Sequence, residues 1–147
     1  MSGGEIIHRL PTCPEFRALR AETEWGVPDP AVTETVLKLS FSGVVAVEND
    51  VVIGMARTVG DGCLILYIQD VVISATHRSQ GLGRSLLQAL IEETAKNCLP
   101  SCTIGLFAAT GQAGFYEKLG FSKRNHPAYG PGLHATLSTL AKANGEA

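Results

Sequence analysis

The chain has almost no charge bias. Among its 147 residues, 12 Lys and Arg face 14 Asp and Glu, for a formal net charge of −2. Without a basic excess it has little with which to neutralise a phosphate backbone, which argues against a nucleic-acid partner. Its apolar residues never gather into a run near the roughly 20 needed to cross a bilayer. The N-terminus lacks the basic-then-apolar order of a secretion signal, so the expectation is cytoplasmic residence with no membrane partner. Cysteine is sparse: Cys13, Cys63, Cys98 and Cys102. Three residues separate Cys98 from Cys102, but no second Cys or His pair completes a zinc set. Reduced thiols and no metal are expected. Two phosphate-binding signatures are also missing: Gly-x-Gly-x-x-Gly, and glycine followed by Lys-Ser/Thr. No repeat, low-complexity block or linker interrupts residues 1–147, so one domain is expected, with a polar tail at 141–147.

What the chain does have is a change of period. Residues 5–10 suit an edge strand. Pro14 can open a helix reaching about Trp25, and Gly26–Pro30 breaks it. Ala31–Ser40 suits a second helix. Val44–Val47 and Val51–Val59 flank Glu48-Asn49-Asp50 and predict a hairpin. Cys63–Ile73 is dense in Leu, Ile, Val and Tyr, as a strand buried on both faces would be. Leu82, Leu86, Leu87, Leu90 and Ile91 recur at helical spacing. Thr103–Phe107 predicts a strand and Gly111–Leu119 a helix, with Gly120 as its C-cap. Strands are predicted from Phe121 onward and over Leu133–Leu140. The order argues for an α/β fold with a mixed sheet.

Arg78-Ser79-Gln80-Gly81-Leu82-Gly83-Arg84 lies between the buried strand and the amphipathic helix. A helix N-terminus carries unpartnered N–H groups and a partial positive charge. Glycines there let a diphosphate approach the donors without a Cβ in the way. Arg78 and Arg84 can add charge-assisted bonds. On glycine spacing alone, a plain turn before a helix reads as well.

Arg78-x-x-Gly81-x-Gly83 after a strand, followed by Phe115-Tyr116-Glu117-Lys118-Leu119-Gly120-Phe121, resembles the GCN5-related N-acetyltransferase (GNAT) superfamily. The resemblance spans about residues 44–124. It implies a mostly antiparallel mixed sheet, splayed between its two central strands and flanked by about four helices. It also implies acetyl-coenzyme A as acyl donor, a primary amine of a small molecule as acceptor, and a homodimer. Backbone N–H groups of Ser79, Gln80, Gly81, Leu82, Gly83 and Arg84 would hold the pyrophosphate. Val71, Val72 and Ile73 would pair with the pantetheine arm, and the N–H of Val72 would polarise the thioester carbonyl. Tyr116 would protonate the leaving thiolate, unless it is only a core aromatic beside Phe115.

The proton acceptor is harder to find. Many relatives carry a Glu on the strand before the Tyr helix, but Ser101–Phe107 has no carboxylate. Asp70 beside the splay is one replacement, or it caps neighbouring backbone in an apolar strand. His134 would reach the acceptor if the last strand pairs, or it is a surface or packing histidine. His77 is placed to touch coenzyme or solvent. Water alone is the remaining route. Trp25, Arg57, Asp61, Tyr67 and Tyr129 are candidate acceptor walls, Trp25 also suiting a packed anchor and Arg57 a solvated strand position. A peptide N-terminus or lysine is the nearer alternative acceptor; a non-catalytic acyl-coenzyme A-binding module, and a protein using the glycine loop for ATP or NAD, are the competing functions.

Overall fold

A capping box starts the first helix of the computed structural model. Thr12 accepts from the Glu15 N–H while the Glu15 side chain accepts from the Thr12 N–H, opening α1 (Cys13–Arg20). Arg9 donates to both carboxylate oxygens of Glu15, at 2.8 and 3.0 Å. The described residues are 4–124, 127–128 and 130–143. They fall into two compact units, one ending at Phe107 and one beginning at Ala108.

The first unit holds a five-stranded sheet in chain order: β1 (Glu5–Ile7), β2 (Ser42–Glu48), β3 (Val51–Gly60), β4 (Ile65–Ile73) and β5 (Thr103–Gly105). The first three pairings are antiparallel and β4 with β5 is parallel. The β2–β3 turn has Asn49 and Asp50 at φ 50° and 63°, the left-handed pair that a two-residue hairpin favours. Helices α1 and α2 (Pro30–Lys38) bury Phe16, Leu19 and Leu37 against Val45, Met55 and Val72. Strand alternation turns Val44 and Ala46 to the opposite face. Helix α3 (Leu82–Ala95) packs there through Leu86, Leu87 and Leu90, with the Thr94 hydroxyl 2.7 Å from that of Ser42. Each large apolar side chain buried this way stabilises the fold by about 1.5–3 kcal/mol.

Four sequence expectations change. The first helix stops at Arg20 because that side chain turns to the carbonyls of Trp25 and Gly26. The long strand starts at Ile65, since the Asp61 carboxylate takes the N–H groups of Cys63, Leu64 and Ile65. No strand follows Phe121 among the described residues. Leu133–Leu140 is not a strand either. Thr136 accepts from the Thr139 N–H and starts α5 (Leu137–Ala143), where Leu137 and Leu140 recur at helical rather than alternating spacing. The expected polar tail is helical through Ala143, and 144–147 lie outside the described residues. Among the described residues no helix is long and apolar enough to cross a membrane.

The α1 capping box predicts a pH dependence. The Arg9 hydrogen bonds, against a smaller opposing effect of burial, lower the Glu15 carboxyl from 4.5 to about 2. A lowered folded-state pKa means the stabilisation is full above the ordinary value and is lost as pH falls from about 4.5 to 2. Glu15→Gln should therefore lower the denaturant midpoint at neutral pH, and the gap from the unmodified chain should narrow at pH 3. A gap that stays constant with pH would contradict this assignment.

Candidate functional site

Strands β4 and β5 separate after three rungs. Their ladder pairs Ile65 with Thr103, Leu66 with Ile104 and Tyr67 with Gly105, while β4 runs on to Ile73. At the point of separation the Phe107 N–H donates to the Tyr67 phenol oxygen at 3.0 Å, and the two rings meet edge to face at 5.2 Å. Burial, opposed by that N–H and aided by the Asp70 charge, raises the Tyr67 pKa above 10. The expected wall residue thus bridges the two strands at the mouth of the gap.

The exposed edge of β4 is set by alternation. Ser74 donates to the Ile53 carbonyl at 2.7 Å, and β4 pairs Val72 with Met55 in the same register. Hydrogen-bonded pairs in an antiparallel ladder recur every second residue, so Val72 also turns its N–H toward β3. Val71 and Ile73 turn theirs toward the gap. The Arg78 Nε donates to the Ile73 carbonyl at 3.0 Å, as that orientation requires. The Val72 N–H, expected to face the gap, is turned toward β3 by this register, and the buried Val72 side chain serves the core.

Between the two registers lies a bulge. Arg57 pairs with Gln69 and Met55 with Val72, so Asp70 and Val71 share the place opposite Ala56. Asp70 holds φ 55°, a conformation glycine normally supplies. Its side chain is only 2% exposed. Arg20 donates to one carboxylate oxygen at 2.7 Å and Arg57 Nε to the other at 2.7 Å. Arg57 also reaches the Ser40 hydroxyl at 3.2 Å. Neither alternative read for Arg57, a substrate partner or a solvated strand residue, describes it: its side chain is largely buried and committed inward. Arg20 was not legible as a site residue. Its guanidinium also bonds the Trp25 and Gly26 carbonyls at 3.0 and 2.9 Å and stacks 5.6 Å from the Trp25 ring centre. Trp25 itself is half exposed.

Beyond β4, Glu22 receives the Ala75 N–H at 2.7 Å and the Ser74 hydroxyl at 3.1 Å, fixing the 3-10 turn Ala75–His77. The His77 ring bridges Glu48 and the Thr76 hydroxyl, a structural placement different from the expected contact with coenzyme or solvent. The segment from Arg78 to Gly81 is exposed, with Ser79 at φ 63° and Gly81 at φ 79°. Gly81 is the N-cap of α3 and makes no side-chain cap. The first intrahelical bond is Ser85 N–H to the Gly81 carbonyl. The amides of Leu82, Gly83 and Arg84 thus lie where a helix has no internal acceptors, beside exposed backbone. This set of donors suits a bound phosphate group.

In the second unit, α4 (Ala113–Glu117) carries Tyr116. Gly120 at φ 106° ends it. The Gly120 N–H bonds the Glu117 carbonyl and the Phe121 N–H bonds that of Tyr116, the paired bonds of a Schellman cap. Phe115 and Phe121 flank the half-buried Tyr116 ring at 5.1 and 6.0 Å. His134 is exposed in the irregular stretch before α5, so the strand that was to present it does not form. Tyr129 lies outside the described residues. All four cysteines are unpaired thiols. Burial and the adjacent Cys98 push Cys102 up to about 11, the reverse of an activated thiolate. Among the described residues no cluster of three His, Cys, Asp or Glu could hold a metal.

A family model described as an acetyltransferase (GNAT) domain matches residues 40–123. The Arabidopsis thaliana protein GCN5-related N-acetyltransferase 1, chloroplastic, is 36% identical over 69 residues, covering 47% of this chain and 34% of that protein. The chain thus spans about a third of the length of that curated relative. A GNAT-family acetyltransferase from Streptococcus pneumoniae TIGR4 superposes with TM-score 0.75 at 20% identity, covering 90% of this chain and 98% of that one. The structure of AAC(6')-Iy in complex with the bisubstrate analogue CoA-S-monomethyl-acetylneamine superposes with TM-score 0.63 at 19% identity, covering 83% and 92%. These superpositions show a shared fold.

The exposed loop yields a stability prediction. A Cβ at Gly81 would meet no atom within 4 Å, so only its φ of 79° opposes a side chain. Gly81→Ala should lower unfolding free energy by about 1–2 kcal/mol in a denaturant titration. Unchanged stability would mean that the loop does not require the left-handed conformation.

Proposed function

The chain belongs to the GNAT acetyltransferase family, and on that basis we propose that it transfers an acetyl group from acetyl-coenzyme A to a primary amine of a small molecule, by direct attack in a ternary complex. The observation that carries this reading is the opened edge of β4 leading into the unpartnered amides at the start of α3. The residues present fit the donor. Val71 and Ile73 turn edge groups toward the gap, as pairing with an extended amide-bearing arm requires. Ser79 to Arg84 would hold the pyrophosphate through backbone N–H groups, with Arg78 and Arg84 adding positive charge. Bound acetyl-coenzyme A would supply an activated acetyl thioester. The Val71 N–H is assigned to the carbonyl oxygen, where negative charge develops. Arg78 would give up the Ile73 carbonyl so that it can accept from the added strand.

Asp70 is assigned a positioning role, not that of the general base. Both its oxygens already accept charged hydrogen bonds, and protonating it would forfeit them. His134 lacks the strand that was to bring it to the acceptor. Water is therefore proposed to carry the ammonium proton away. The Phe115–Phe121 motif supports Tyr116 as the group that protonates the leaving thiolate. Trp25 on the α1–α2 connection is the retained candidate for an acceptor wall.

Absence of a carboxylate on the strand Thr103–Gly105 favours the second reading, an acyl-coenzyme A-binding module without turnover. Calorimetry with acetyl-coenzyme A, ATP and NAD, followed by thiol release over a panel of small amines and peptides, separates the possibilities. Tight binding of acetyl-coenzyme A alone, with thiol release in the presence of a small amine, is expected. Preference for ATP or NAD would sink the donor assignment, release only with peptides would replace the acceptor class, and binding without release would favour the module. In the active enzyme, Tyr116→Phe should lower turnover by about 100-fold with coenzyme affinity nearly intact. Unchanged turnover would remove Tyr116 from the chemistry.

A further inference from the structure

We infer that Arg20, through its bond to Asp70, is a positioning residue that aims the Val71 N–H into the gap between β4 and β5. The inference rests on the acetyl-transfer reading for its function but on geometry for its structure. Val71 is the second residue of a bulge whose first residue, Asp70, occupies the left-handed region. A non-glycine residue there is strained unless its surroundings hold it. The surroundings are two guanidinium groups from different elements. Arg57 comes from the neighbouring strand and Arg20 from the end of α1. Their bonds fix both carboxylate oxygens and with them the direction of the following peptide.

Arg20 differs from Arg57 in what else it holds. Its remaining donors go to Trp25 and Gly26, at the start of the connection into α2. One side chain therefore ties the bulge to the segment proposed to face the acceptor. Among the described residues the pyrophosphate loop makes no hydrogen bond to Asp70, Arg20 or Arg57: it is held by Glu22 through Ser74 and Ala75, by the Arg78 bond to the Ile73 carbonyl, and by the start of α3. The share of coenzyme affinity that the loop supplies is thus separable from the aim of the Val71 N–H, which offers the coenzyme a single bond. Removing Arg20 leaves Asp70 its Arg57 partner, so the carboxylate is not stranded and the fold is retained.

The test uses the full chain with acetyl-coenzyme A and an accepted amine. Arg20→Gln should lower kcat by about 10- to 100-fold, the scale of misplacing one donor at a developing oxyanion. Its acetyl-coenzyme A dissociation constant should stay within about twofold, as the loop is held independently. Adding Asp70→Asn should restore part of the lost kcat, because asparagine tolerates the left-handed bulge and its amide oxygen still accepts from Arg57, without a carboxylate that needs two cations. A purely structural role gives no such rescue. Amide spectroscopy provides a readout independent of turnover: acetyl-coenzyme A should shift the Val71 amide strongly in the original chain and weakly in Arg20→Gln. Unchanged kcat, parallel loss of kcat and affinity, absence of rescue, or an unchanged Val71 response would overturn the inference. If the original chain binds acetyl-coenzyme A but turns over no amine, the acetyl-transfer reading fails, while the Val71 response still decides the role of Arg20.

Discussion

A single buried carboxylate held by two guanidinium groups sets the geometry on which the site depends. Burying a charge is costly unless it is paired and hydrogen-bonded. Asp70 meets that condition with Arg20 on one oxygen and Arg57 on the other. The same contacts keep a non-glycine residue at positive φ inside an otherwise regular strand. The bulge shifts the register by one residue, and alternation then turns Val71 and Ile73 outward. Polar pairing at the centre of the sheet is what leaves a usable strand edge beside the gap.

The site divides its tasks between separate supports. The strand edge offers directional hydrogen bonds to an extended chain, and the start of α3 offers clustered donors to an anion. Between them, Glu22 pins the short turn and Tyr67 bridges the mouth of the separated strands. Each support comes from a different part of the chain: the α1–α2 connection, the two central strands, and the residues after β5. A gap of this kind requires the parallel ladder to stop early, and Tyr67 gives the Phe107 N–H a partner once it does.

Much of the arrangement was legible in the sequence. Apolar periodicity located α3, and the Glu48-Asn49-Asp50 turn located the hairpin. The glycines between Arg78 and Arg84 marked the loop, and Gly120 marked the end of the Tyr116 helix. These signals are local, lying within a few residues of the feature they specify. The rest was set by distant partners. Arg20 carried no signal in the sequence, and nothing nearby showed that its partner lay 50 residues on. Arg57 read as a surface or substrate residue for the same reason. The bulge shifts pairing without leaving a mark in composition, so the choice between Val72 and its neighbours needed the register. The segment near Leu137 has both a leucine spacing that suits a helix and residues that suit a strand, and the Thr136 cap decided it.

The β4 edge and the α3 N-terminus together are proposed to receive acetyl-coenzyme A. Residue-resolved hydrogen exchange with a non-reactive acetyl-coenzyme A analogue reads both at once. New protection is expected at the amides of Val71 and Ile73 and across Ser79–Arg84, with Val72 already protected before the analogue is added. Protection confined to other segments, or a Val72 amide that exchanges freely until the analogue binds, would contradict it.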